Sequence, residues 1–245
     1  NDAGAKGVVQ TLQTLRNTGF YQMGTWIDKA DRKRRQPMVI DLNGLTFAFL
    51  NYTYPASFLA TPGEVGIAQF KERDVREDLQ RTHRLSPDYV VVFLHWGEEY
   101  ASTPSAEQRE WAQRLFRWGA DAVVGSHPHV MQPVEKYEYR QTNGQKRYKI
   151  AAYSLGNFLS NQRRPGTETG LWLELEITHL KSQGKTYLSN CKVEPVFRRI
   201  RRNNHRQTFR VIPASRAGRD SLLTDEEIDG LEELQKNWQI KEVIQ

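Results

Sequence analysis

The chain has 245 residues, 38% of them hydrophobic and 26% charged, long enough for one large or two small domains with a real core. No apolar run approaches the roughly 18 to 20 residues that span a bilayer; the longest, 90–94, stops at His95. Thirty-five Lys and Arg against 29 Asp and Glu leave a net charge of +6, which suits a polyanionic partner or a merely solvated basic surface, and Cys191, alone, excludes an internal disulfide and a cysteine-built zinc site.

The chain opens on Asn1 without the basic, apolar and small-residue zones of a signal peptide, so a processed or truncated start is expected. Val8, Leu12 and Leu15 recur at helical spacing over 4–16. Residues 29–35 read as a charged loop, and 38–41 and 45–53 read as a hairpin around Asn43-Gly44. A helical pattern over 72–84 is broken by Ser86-Pro87-Asp88 before the continuous apolar run 89–94, which suits a strand covered on both faces. Ser105 and Gln108 form a capping-box signature for a helix whose buried stripe is Trp111, Leu115 and Trp118 and which stops at Gly119. A short buried strand at 122–124 follows, then strands at 134–140 and 147–155 around Asn143-Gly144. The order strand, helix, strand predicts an α/β layered domain.

Beyond Gly166 the texture changes. Residues 171–177, 187–197 and 208–212 partly alternate, as antiparallel strands closing one side of the sheet would. Thr224 with Glu227 predicts a capped last helix to about 244, with Leu223 and Ile228 as its hydrophobic staple. The expectation is a single domain over 1–245, with 166–245 as its β-rich closing segment and final helix.

Three of the six histidines stand at the carboxyl ends of expected buried strands, where open α/β sheets bind ligands: His95 after 90–94, and His127 and His129 after 123–125. A His-x-His pair after a glycine can offer two imidazole ligands from one loop, and Pro128 between them limits how that loop flexes. No Gly-x-Ser-x-Gly elbow appears, and Cys191 in an alternating strand reads as core packing.

His95-Trp96-Gly97-Glu98-Glu99-Tyr100, the stretch 119–130 with Gly125-Ser126-His127-Pro128-His129, and Tyr153-Ser154-Leu155-Gly156-Asn157-Phe158 together resemble the bacterial poly-γ-glutamate capsule-synthesis (CapA) family, over about 1–158. The resemblance implies a fold similar to calcineurin-like metallophosphoesterases, a layered β-sandwich with flanking helices. It implies divalent metal ions, two in a complete domain, of Mn, Zn or Fe, with His95, His127 and His129 as ligands. His95, Glu99 and Asn157 are its catalytic candidates, and Ser154, Arg163 and Arg164 its substrate-binding candidates. Glu99, Ser154 and Asn157 read equally well as loop-anchoring hydrogen-bond groups.

The family's Asn-Asn-His motif, Gly-Asp motif and upstream acidic residue have no counterpart here. The chain therefore resembles the C-terminal two-thirds of the family domain, with half of a two-metal site, and is expected to hydrolyse phosphate esters poorly; bound metal is not part of the expectation. The implied function is poly-γ-glutamate biosynthesis or metal-dependent ester hydrolysis; the alternative is a non-catalytic module that binds an anionic polymer. The implied partners are an acidic polymer or a phosphorylated substrate and, through the parent protein, a capsule-synthesis membrane complex at the cell envelope. Nucleic acid is not expected: the four arginines within 198–202 come with no helix-turn-helix or RNP-like motif. The loops carrying His95, His127 and His129 are expected to converge.

Overall fold

The computed structural model describes residues 4–54, 65–140, 146–203, 206–219 and 223–244. Asn1, Asp2 and the Asn143-Gly144 turn lie outside the described residues. The chain forms two compact units, one of residues 1–96 and 110–124, the other of 97–109 and 125–245. Among the described residues, no helix is long and apolar enough to cross a membrane.

The first unit opens with α1 (Gly4–Asn17), which buries Leu12. Its sheet is built from β2 (Met38–Leu42), β3 (Leu45–Thr53), β5 (Tyr89–His95) and the start of β6 (Ala122–Ser126), side by side in the order β2-β3-β5-β6. Asn43 and Gly44 both take positive φ, 53° and 81°, as the expected two-residue hairpin turn requires, and β2 pairs antiparallel with β3. An aspartate one residue before each buried strand clips its start to a neighbour. Asp88 accepts from the Thr46 N–H (2.8 Å), and buried Asp121 accepts from the Val90 N–H (3.0 Å). β5 runs parallel to β3 with Tyr89 and Val91 buried on one face and Val90, Val92 and Leu94 on the other, as expected of a strand covered on both faces. A two-stranded ribbon, β1 (Thr25–Trp26) with β4 (Gly66–Ile67), completes the strands among the described residues of this unit.

Helices α3 (Glu72–Arg84) and α4 (Ala106–Arg117) fall where the patterns put them. The Ser105 and Gln108 box is formed in both directions, at 3.0 and 3.1 Å. The stripe of α4 differs from expectation: Ala112, Leu115 and Phe116 are buried, while Trp111 and Trp118 are half-buried and meet edge to face on its flank. Residues 29–35 are not a loop but a helix, α2 (Lys29–Arg35). Its apolar content is too low to announce it. The Asp28 side chain caps the Asp31 N–H, and Asp31, fully buried, accepts from Arg16 (2.6 Å), Arg35 (2.8 Å) and the Ile27 N–H (3.2 Å). Burial pushes the Asp31 carboxyl up, but these donors outweigh it and hold the group below the usual range.

In the second unit β7 (Val134–Arg140) and β8 (Lys146–Ala152) pair antiparallel. The three strands expected after Gly166 are antiparallel, but they form a separate three-stranded sheet of β9 (Thr169–Leu180), β10 (Lys185–Asn203) and β11 (Arg206–Pro213), in the order β11-β10-β9. A 3₁₀ turn (Ala214–Arg219) and α5 (Asp225–Asn237) share a small core of Ala214, Ala217 and Leu231, with Leu223, Ile228 and Phe197 packed on it. The Thr224 and Glu227 capping box is present. α5 stops at Asn237 rather than near 244, because the chain after it runs as β12 (Lys241–Ile244), parallel to β7, and takes its main-chain partners from that edge. Cys191 is partly buried on β10. Burial pushes its thiol up to about 11, so it is protonated at neutral pH and inert.

Candidate metal centre

Glu99, His127 and His129 each offer a ligand atom, and the three atoms lie within 4.8 Å of one another in the second unit. Glu99 is half exposed and His129 about a quarter exposed, with Glu99 Oε1 3.9 Å from His129 Nε2. Two imidazoles and a carboxylate suit a borderline divalent cation. Metal–nitrogen distances near 2.0 to 2.1 Å place ligand atoms about 3 to 4 Å apart, a spacing that the 3.9 Å between Glu99 Oε1 and His129 Nε2 already meets.

The two loops carrying these groups are fastened together. The Tyr100 N–H donates to the Pro128 carbonyl (2.8 Å), and the fully buried Gln132 donates to the carbonyls of Ala101 (2.8 Å) and Thr103 (3.2 Å). This fastening sustains an unusual backbone: Tyr100, His127 and His129 have φ of 66°, 106° and 62°, which side chains other than glycine rarely adopt. Such conformations cost of order 1 to 3 kcal/mol each and persist where surrounding contacts over-determine them, as they commonly do around ligands. His127→Gly should therefore be more stable than His127→Ala by about 1 kcal/mol, a thermal midpoint higher by about 2 to 4 °C, read by calorimetry. Equal midpoints would remove the strain argument.

Asn157 sets the tautomer of His129. Its Nδ2 donates to Gln162 Oε1 (2.9 Å) and to the Thr167 carbonyl (3.1 Å), which leaves Oδ1 as the atom 3.2 Å from His129 Nδ1. Nδ1 then carries the proton, and the Nε2 lone pair faces Glu99. Asn157 reaches this position because glycines flank its loop. A side chain at Gly170 would meet the Asn157 carbonyl oxygen at 2.5 Å, and one at Gly156, where φ is 67°, would meet the Thr169 carbonyl at 2.8 Å.

The other expected residues fall into three groups. Ser154 is fully buried, donating to the Val130 carbonyl (2.8 Å) and accepting from the Gly156 N–H (3.2 Å), so it shapes the turn beneath the site. The Arg164 guanidinium lies 4.2 Å over the Tyr100 ring, itself beside His129, and Arg163, on the surface, donates to Asn161. His95 ends β5 as an exposed residue of the first unit. The sequence reading gave no role to Tyr100, Gln162 or Thr167. Tyr100 stands in a quoted motif, whereas no motif marks Gln162 or Thr167, which act through Asn157, 5 and 10 positions away.

The family Bacterial capsule synthesis protein PGA_cap matches residues 1–162, about two-thirds of the chain and all three motifs. The chain belongs to this family. Among PGA_cap relatives it is similar to the PGA biosynthesis protein CapA of Bacillus subtilis, 30% identical over 185 residues, which are 75% of this chain and 45% of that protein. It is also similar to the capsule biosynthesis protein CapA of Bacillus anthracis, 29% identical over 192 residues, 76% of this chain and 43% of that one. The chain thus spans less than half the length of either CapA protein. Among solved structures it is similar to the NAD nucleotidase NadN of Haemophilus influenzae, with TM-score 0.48 and 11% identity over all of this chain and 40% of that one. A putative 5′-nucleotidase of Staphylococcus aureus gives TM-score 0.44 and 16% identity over 92% of this chain and 38% of that one.

Proposed function

We propose that this PGA_cap chain serves poly-γ-glutamate capsule synthesis through a divalent-cation site built on Glu99, His127 and His129, with a fold of the metallophosphoesterase kind and a site of action at the cell envelope. The observation that carries this reading is the convergence of the three ligand atoms with His129 already turned to offer Nε2. In this reading the chain is a single domain, since the family match runs across both compact units.

A bound Mn, Zn or Fe ion would polarise a carbonyl or phosphoryl oxygen and lower the pKa of a bound water. The chain's own residues do the rest. Asn157 orients His129, the Tyr100 and Gln132 contacts hold Glu99 near the His-Pro-His loop, and Arg163 and Arg164 supply positive charge for an anionic substrate group. The second reading, a module that binds the acidic polymer without turnover, is favoured by the arginine-rich β10 and β11.

The test compares wild type, Glu99→Gln and His129→Ala, each with Mn²⁺ and with EDTA, on poly-γ-glutamate and on a chromogenic phosphodiester. The reading expects a Mn²⁺-dependent component of polymer binding or ester turnover that both variants lose. Mn²⁺-dependent binding without product selects the second reading, and variants that match wild type in every assay contradict both.

A further inference from the structure

Residues 195–219 contain eight arginines and no aspartate or glutamate. The register of the β10–β11 hairpin sorts them. Directly opposed residues share a face, so the pairs Arg199↔Arg210, Arg201↔Thr208 and Asn203↔Arg206 set Arg199, Arg201, Arg206 and Arg210 on one face. Arg198 goes to the other, where it is 5% exposed and donates to the Gln162 carbonyl (3.0 Å). At its inner end the arginine face is closed by Phe197, packed against the α5 core, and by the ion pair of Arg199 with Glu227. Beyond that point Arg201, Arg206 and Arg210 are exposed.

We infer that Arg201, Arg206 and Arg210, continuous with Arg199, form a ladder on the β10–β11 hairpin that binds a linear polycarboxylate. Residues two apart on a strand are about 6.8 Å apart and paired strands about 4.8 Å, so the four planar forks are spread over one face at these spacings, with Thr208 between Arg206 and Arg210. The basic residues of this face are all arginine, with no lysine among them, and the arginine fork matches a carboxylate with two parallel hydrogen bonds. The same face argues against nucleic acid. Phe209 and Ile200 are opposed to each other on the opposite face, so among the described residues the exposed part of the ladder carries no ring on which bases could stack. It also lacks the exposed apolar side chains that an anionic lipid surface would take in. The inference rests on the proposed handling of an acidic polymer but needs no metal, which keeps the two separable.

The test is fluorescence anisotropy with fluorescein-labelled poly-γ-glutamate in EDTA, using wild type, R201Q/R206Q/R210Q, R201K/R206K/R210K and the control K71Q/R76Q/R84Q, whose changes lie in the first unit. The Gln triple should bind about tenfold more weakly, about 1.4 kcal/mol, and with a shallower salt dependence. The Lys triple should fall between it and wild type, and the control should stay within about twofold of wild type, for the same loss of charge. Circular dichroism and the Mn²⁺-dependent binding component should be unchanged in the Gln triple, which separates a lost ladder from a lost fold or a lost metal site. Equal affinity of wild type and the Gln triple overturns the ladder. Tighter binding of single-stranded DNA or of anionic vesicles than of the polymer overturns its assignment to a polycarboxylate.

Discussion

Replacing Glu135 with alanine is expected to lower the thermal midpoint by roughly 5 to 12 °C, from a loss of about 2 to 4 kcal/mol. Glu135 is 3% exposed and pairs with Arg109, while the Tyr137 and Tyr153 hydroxyls lie 2.7 and 3.0 Å from its Oε2 and 2.7 Å from each other. Removing the carboxylate takes away the acceptor that the two buried hydroxyls share, and within the pair only one of them can then donate to the other. Arg109 is 40% exposed and can turn to water, which keeps the loss below that of a fully buried ion pair. Glu135→Gln, which retains an acceptor, should lose about half as much.

The same network sets an alkaline limit. Burial first, and then the Glu135 carboxylate, push the Tyr137 hydroxyl up to about 12 from an ordinary 10, and Tyr153 is raised further, by burial first, then by Tyr137 and by Glu135. Above pH 10 the unfolded tyrosines give up protons that the folded ones keep, so the folded state binds more protons and stability falls as pH rises. The contribution is fully present below about pH 10 and is lost by about pH 12, a decline of order 2 to 3 kcal/mol for Tyr137. Thermal midpoints measured from pH 8 to pH 11.5 should fall less steeply in Tyr137→Phe than in wild type. Parallel slopes would show that the pair does not titrate with unfolding.

The second large effect concerns Asn157. Asn157→Ala is expected to weaken divalent-cation affinity about 10- to 100-fold, the usual consequence of removing the group that orients a ligating histidine. The cause is specific: without Oδ1 beside Nδ1, the proton can move to Nε2 and the lone pair turns away from Glu99. The ¹⁵N shifts of the His129 ring report this directly, with protonated Nδ1 in wild type and mixed tautomers in the variant. Asn157→Asp separates orientation from loop packing. A carboxylate still accepts from Nδ1, but it cannot donate to the Thr167 carbonyl, so the thermal midpoint should fall while the tautomer holds. An unchanged His129 tautomer and unchanged cation affinity in Asn157→Ala would reduce Asn157 to a loop anchor.

What the sequence made legible follows from the range of the interactions. The 72–84 and 106–117 helices and the 89–95 strand announce themselves through periodicity and caps within one segment. Helix 29–35 does not, because Asp31 is stabilised by Arg16, which is 15 positions away. The end of the last helix is decided by the free edge of β7, about 100 residues upstream of β12. At the site, His127, His129 and Glu99 stand in recognisable motifs, whereas the hold on His129 joins residues 28 apart and passes to Gln162 and Thr167. The arginine run 198–202 reads as one basic cluster; strand alternation divides it, burying Arg198 and exposing Arg201.

The central claim is that Glu99, His127 and His129 together bind one divalent cation. The most direct measurement is Co²⁺ titration followed by visible absorption, with Mn²⁺ displacement as the check, on wild type, Glu99→Gln and His127→Ala/His129→Ala. A saturable Co²⁺ spectrum in wild type, weakened in Glu99→Gln and absent in the double histidine variant, is the predicted result. A Co²⁺ spectrum of equal intensity and affinity in the double histidine variant, or no saturable uptake by wild type, would contradict it.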